Sequence, residues 1–101
     1  MELVVLDFGN AELTPKGFDL LQNIPNPFAG ETMIGFVLPQ GGEATLRLSD
    51  VQGRVIRVIK GQYNAGYNAI MLRGDDLPSG VLQYTLTSGD FTATRRMVVG
   101  K

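Results

Sequence analysis

The side chains able to do chemistry in this 101-residue sequence are carboxylates, hydroxyls and a few cations, because the chain has no His, no Cys and no Trp. Those absences remove thiol nucleophiles, imidazole-based triads and dyads, Cys/His zinc sites and disulfides. Carboxylates are the only remaining general acids or bases. Asp75 and Asp76 are adjacent, and Asp50 and Asp90 stand in turn-like stretches. A neighbouring acidic pair offers oxygen ligands to calcium, but that ion needs a larger shell and the EF-hand spacing is missing. Asp is equally a turn residue that bonds its own backbone, so the pair reads as a solvated loop and no metal ligand is assigned. Gly41-Gly42 has the look of a phosphate-cradling loop, yet no Lys-Ser/Thr pair follows it, and it reads as a hairpin. Tyr63, Tyr67 and Tyr84 are candidate platforms for sugar rings, although Tyr84 falls among inward positions and suits the core better. Arg95 and Arg96, with Lys101 nearby, form the one basic cluster. Strand alternation sends the two arginines to opposite faces, as a charged edge that discourages stray pairing or as a recognition surface. No catalytic residue, metal or cofactor emerges, and the expectation is a protein that is not an enzyme.

Nine Lys+Arg against ten Asp+Glu leave a net charge of −1, which gives no polycationic attraction to nucleic acid or anionic lipid. The length suits one domain, and 44% hydrophobic with 19% charged residues is ordinary globular composition. The start, with an apolar run only from Leu3 to Leu6 between Glu2 and Asp7, lacks the basic region and length of a secretory signal. No stretch has the length of a membrane-spanning helix, so direct membrane insertion is not expected. So abrupt a beginning suggests a piece of a longer chain.

The elements that would position these groups are short strands. Leu3 to Phe8 is a candidate strand, and Phe18 to Leu21 is a short apolar run. Thr32 to Leu38 places Ile34, Phe36 and Leu38 on one face. Glu43 to Asp50 alternates, with Ala44, Leu46 and Leu48 facing in. Asp50-Val51-Gln52-Gly53 is a tight turn. Arg54 to Lys60 does not alternate, which implies either a bulge or burial on both faces. Turns at Asn64–Gly66, Pro78–Gly80 and Ser88–Asp90 separate Tyr67–Leu72, Val81–Thr87 (Leu82, Tyr84 and Leu86 inward) and Phe91–Val99. No window carries an apolar stripe at the helical period. About seven antiparallel strands with Gly/Pro turns predict an all-β sandwich. Within it, Pro25 and Pro27 deny the backbone two donors, and Phe28 is expected to anchor this stiff segment to the core as it crosses between sheets.

From about Leu20 to Lys101 the order of motifs resembles the C-terminal sorting domain of type IX secretion cargo proteins, the type A signals of the Por secretion system. The residues that carry it are Pro25-Asn26-Pro27-Phe28; Thr32, Ile34 and Phe36; Leu38-Pro39; Asp50, Gly53 and Arg54; Ala65-Gly66; Leu77, Ser79, Gly80 and Val81; and the run from Thr94 to Lys101. Leu72-Arg73 stands where many members have Trp-Asp, and Gly100 interrupts the usual apolar ending. A weaker likeness extends to the immunoglobulin-like domain of flagellar hook-capping proteins.

The resemblance implies an immunoglobulin-like β-sandwich serving as an address label on a cargo protein. An outer-membrane translocon recognises such a domain, and a sortase-like peptidase commonly removes it. The location implied is secreted or cell-surface, reached through the periplasm and outer membrane of a Gram-negative bacterium. On this reading residues 1–9 are the last strand of a preceding domain, residues 10–17 a linker with the cleavage region, and residues 18–101 the sorting domain. Arg95, Arg96, Met97, Val98, Val99 and Lys101 are the expected recognition residues, presented on an edge strand open to strand addition. Self-association through Leu3 to Phe8 or the final strand is also expected. The alternative is an adhesive or carbohydrate-binding module using Tyr63 and Tyr67.

Overall fold

The computed structural model describes residues 17–101, so the expected strand at Leu3–Phe8, the segment 1–9 and nearly all of the linker lie outside the described residues. The described chain forms seven strands: β1 (Asp19–Leu20), β2 (Glu31–Leu38), β3 (Gly42–Asp50), β4 (Val55–Tyr63), β5 (Gly66–Arg73), β6 (Gly80–Ser88) and β7 (Phe91–Val99). They pair antiparallel in two sheets, β1-β2-β5 and β4-β3-β6-β7, an all-β immunoglobulin-like sandwich. Among the described residues no helix is long and apolar enough to cross a membrane.

Alternation explains the layering. Ile34, Phe36 and Leu38 of β2, Ala44, Leu46 and Leu48 of β3, and Leu82, Tyr84 and Leu86 of β6 are all buried, as their period of two requires. Phe18 stacks on Phe91 at 5.2 Å, and Tyr63 meets Phe36 edge-on at 5.1 Å, joining the sheets across the core.

Two expectations need correction. Gly41-Gly42 does not make a hairpin: Leu38 ends β2 in one sheet and Gly42 begins β3 in the other, so residues 39–41 cross between layers. Turn residues reverse the chain, but what the next strand buries decides its partner. In β4 the broken alternation comes from a bulge and not from burial on both faces. The register slips between Leu48 and Ser49, which face Arg57 and Val55, leaving Ile56 as the extra residue turned toward the core. β4 is an edge strand whose Val55 and Val58 are exposed.

Registers also define the two ends of the sandwich. Asp50 faces Leu82 and Gly80 faces Val99, so the β3–β4 turn, the link before β6 and the chain's last residues share one end. Glu31 faces Arg73, and the Gly74 N–H donates to the Gly30 carbonyl at 2.8 Å, bringing the start of β2 to that same end. Gly66, opposite Leu38, lies at the other end.

Candidate functional site

The expected recognition residues, apart from Lys101 just beyond it, belong to β7, the edge strand of the four-stranded sheet. Its alternate residues Phe91, Ala93, Met97 and Val99 turn toward the core, with Met97 and Val99 buried. Arg95 shares that inward phase but sits at the margin between the sheets, where its Nε donates to the Leu20 carbonyl of β1. The Arg96 side chain is exposed on the outer face.

An edge strand ordinarily presents unpaired backbone groups. Here residues 22–28 run alongside the last part of β7 and occupy four of them, between the Arg96 carbonyl and the Gly100 N–H. The Arg96 carbonyl accepts from Gln22 Nε2 at 2.6 Å, and the Val98 N–H donates to Asn26 Oδ1 at 2.8 Å. The Val98 carbonyl accepts from the Phe28 N–H at 3.1 Å, and the Gly100 N–H donates to the Phe28 carbonyl at 2.8 Å. Phe28 bridges Val99 in parallel fashion, and Ile24 bridges Met33 of the other sheet. Lys101 completes the closure by donating from Nζ to the Gly74 carbonyl at 3.1 Å. The expectation of an open final edge is therefore wrong from Arg96 onward, and self-association through that part of β7 is blocked by the chain's own strap. The reason lies in the prolines: Pro25 and Pro27 cannot donate, so the strap cannot pair as a regular strand. Asn26 supplies an acceptor from its side chain instead.

The strap is held by groups that motif spacing does not single out. Tyr84, buried in β6, donates its O–H to the Leu21 carbonyl at 2.7 Å and accepts the Asn23 N–H at 2.9 Å. Burial pushes the Tyr84 phenol above its ordinary range, while the Asn23 N–H and nearby Arg95 oppose that shift. Asn23 Nδ2 donates to Thr32 Oγ1 at 3.0 Å and to the Pro25 carbonyl at 3.2 Å, and Thr32 Oγ1 donates to that carbonyl at 2.8 Å. Both Ile24-Pro25 and Asn26-Pro27 are cis. A sequence signal for this network exists. Thr32 is a polar residue in phase with Ile34, Phe36 and Leu38, and a buried hydroxyl demands a partner.

The other motif residues divide between the two ends. Asp50 shapes the β3–β4 turn, accepting the Gln52 and Arg54 N–H groups on Oδ1, each at 2.9 Å, and Arg54 Nε on Oδ2 at 3.1 Å. The Arg54 N–H, foremost, holds the Asp50 carboxyl below its usual value. Gly53 takes a φ of 88°, which favours glycine. Ser79 and Gly80 lie at the same end as the strap, whereas Gly66 does not.

The alternative chemistry disperses. Asp75 and Asp76 turn to different arginines, Arg73 at 3.4 Å and Arg57 at 3.5 Å. Tyr63 is committed to Phe36, while Tyr67 is exposed on the outer face of the other sheet, so the two make no common platform. A cleft of 580 Å³ lies at the far end, between residues 39–43 and 88–91.

Residues 23–100 match the family model described as "Secretion system C-terminal sorting domain". The chain belongs to the type IX secretion C-terminal sorting domain family. The match begins within the strap and ends one residue before Lys101, so it embraces the bonded surface apart from Gln22 and Lys101. This sorting domain is thus a signal for export across the outer membrane to the cell surface or medium. No curated protein matches the chain. Among solved structures it is similar to part of a β-glucosidase from Listeria innocua in complex with glucose, at 15% identity and a TM-score of 0.42. That alignment covers 83% of this chain but only 16% of the enzyme, a likeness too slight to carry any argument.

Proposed function

We propose that the sorting domain is recognised in its folded state by a component of the type IX outer-membrane translocon. The surface recognised is β7 together with its strap: Arg95, Arg96, Met97, Val98, Val99 and Lys101 beside Pro25, Asn26, Pro27 and Phe28. The observation that supports this reading is the set of bonds joining residues 95–100 to partners about 70–75 positions earlier, such as Val98 to Asn26. Met97 and Val99 act from the core by holding the strand, whereas Arg95, Arg96 and Lys101 present charge. Residues 18–101 serve as the label, and residues 1–9 close a preceding cargo domain. A sortase-like peptidase of the Gram-negative host cuts within residues 10–17 and frees or anchors the cargo.

The test appends the 101-residue chain to a periplasmic reporter in a type IX-competent strain. Delivery to the surface is compared with that of a version carrying Arg95→Gln, Arg96→Gln and Lys101→Gln. Truncation before Arg95 is a poorer comparison, because it also strips Met97 and Val99 from the core. The expected result is delivery by the first and retention of the second. Absence of delivery by the unaltered chain would count against the function itself. The peptidase step is checked by mass spectrometry of the delivered reporter, with a new terminus expected inside residues 10–17.

A further inference from the structure

We infer that the partner reading this surface is an acidic protein face with an apolar slot, and that it engages side chains instead of adding a strand to β7. The inference rests on the recognition reading above and concerns the chemistry of the partner. Its first support is the closure of the edge: the Arg96 carbonyl, the Val98 N–H and carbonyl and the Gly100 N–H already have partners on the strap or its side chains. Strand addition there would require breaking bonds that the domain itself supplies.

The second support is the distribution of paired charge. Arg54, Arg57, Lys60 and Arg73 each lie within 4.0 Å of a carboxylate, those of Asp50, Asp76, Glu43 and Asp75. Arg95, Arg96 and Lys101 have no such carboxylate among the described residues, and Arg47 alone shares that condition. Three cations without a carboxylate partner among the described residues therefore lie on β7 and just beyond it, Arg95 and Arg96 in opposite phases of the strand, in a chain whose net charge is −1. Local charge of one sign invites a complementary partner and speeds encounter with it.

The third support is apolar. Ile24, on the strap, is 73% exposed, and it bridges Met33, which in turn faces Met71. Met33 and Met71 are 40% and 52% exposed, so a row of large apolar side chains crosses the outer face of the smaller sheet and ends at Ile24, on the strap that flanks β7. Exposed apolar groups in a contiguous row suit a protein interface, and methionine adapts to the contour it meets. Tyr67, which lies over Gly35 on the same face, adds one exposed aromatic ring beside the row.

The experiment uses the full chain fused to the periplasmic reporter and four variants. Arg96→Glu and Ile24→Ser alter the proposed surface, Arg96→Lys restores its charge, and Lys60→Glu changes charge on the far edge strand. The expected result is at least a tenfold loss of surface delivery for Arg96→Glu and Ile24→Ser, with delivery within twofold of the parent for Arg96→Lys and Lys60→Glu. Thermal melting of each purified fusion, with Arg96→Gln as a second neutral variant, separates loss of recognition from loss of folding. Failure of the parent to be delivered overturns the sorting function. Delivery of the parent with equal delivery of Arg96→Glu overturns only the acidic partner. Equal loss from Arg96→Glu and Lys60→Glu also overturns it, because the effect would then be one of overall charge. A final arm sediments the purified chain with phosphatidylglycerol vesicles. Co-sedimentation abolished by Arg96→Glu would assign the cations to lipid and overturn the protein partner.

Discussion

Removing one oxygen atom, in Tyr84→Phe, tests how the strap is held. The ring stays in the core, so no cavity forms and the transfer of apolar surface is nearly unchanged. What is lost is the hydroxyl that donates to the Leu21 carbonyl at 2.7 Å and accepts the Asn23 N–H at 2.9 Å. Asn23 is buried, so its N–H finds no water in exchange, whereas half-buried Leu21 is partly resolvated. A buried group left unsatisfied costs ~1–3 kcal/mol, which puts the sum for these two groups at about 2–4 kcal/mol. For a domain of this size that corresponds to a melting temperature lower by roughly 10–20 °C. Guanidinium denaturation measures it, with a lower midpoint and an unchanged slope, and amide exchange should accelerate first at Asn23. The pH profile adds a check. The folded pKa of Tyr84 is raised above its ordinary 10.0, so the phenol's contribution is complete below that value and is lost as pH rises through the folded pKa. Tyr84→Phe should abolish that alkaline loss. A stability change under about 0.5 kcal/mol would refute the claim that this hydroxyl fastens the strap.

Other perturbations follow the same logic. Asn26→Ala removes the acceptor for the Val98 N–H; the expected cost is ~0.5–1.5 kcal/mol by denaturation, with faster exchange at Val98. Gly74→Ala puts a methyl 2.6 Å from the Ala29 carbonyl oxygen, and the expected destabilisation is ~1–3 kcal/mol. Met97→Ala empties a fully buried site on β7 and should cost ~2–5 kcal/mol in the same assay. Asp50 has its folded pKa lowered from 3.8, so its contribution is present above that value and disappears as pH falls through the folded pKa. Asp50→Asn should flatten the acid limb of the stability profile.

Much of the architecture was legible because period-two burial is a local property. The inward sets of β2, β3 and β6 follow directly from which residues alternate, and the Gly-containing turns mark where strands stop. Sheet membership was not legible at Gly41-Gly42, where the same residues serve a hairpin or a crossover, and only long-range burial decides between them. The broken pattern of β4 announced an irregularity but not its kind. At the site, the motif Pro25–Phe28 and the basic tail are plain in the sequence, as is the anchoring of Phe28. Their union is not, since it depends on side-chain-to-backbone bonds such as Gln22 to Arg96 and Lys101 to Gly74, which leave no periodic trace. Thr32 and Asn23 were the available clue, being polar residues at positions that the fold buries.

On the proposed function the signal is a folded composite of strap and last strand, read through side chains. It is tested most directly by loosening the strap while leaving residues 95–101 untouched. The combined variant Gln22→Ala, Asn26→Ala removes the two side-chain bonds to Arg96 and Val98. Surface delivery of a reporter carrying this variant, measured against the parent chain, should fall at least several-fold although the C-terminal sequence is intact. Equal or increased delivery, the outcome expected if the translocon pairs with an opened β7 edge, would contradict recognition of the closed composite.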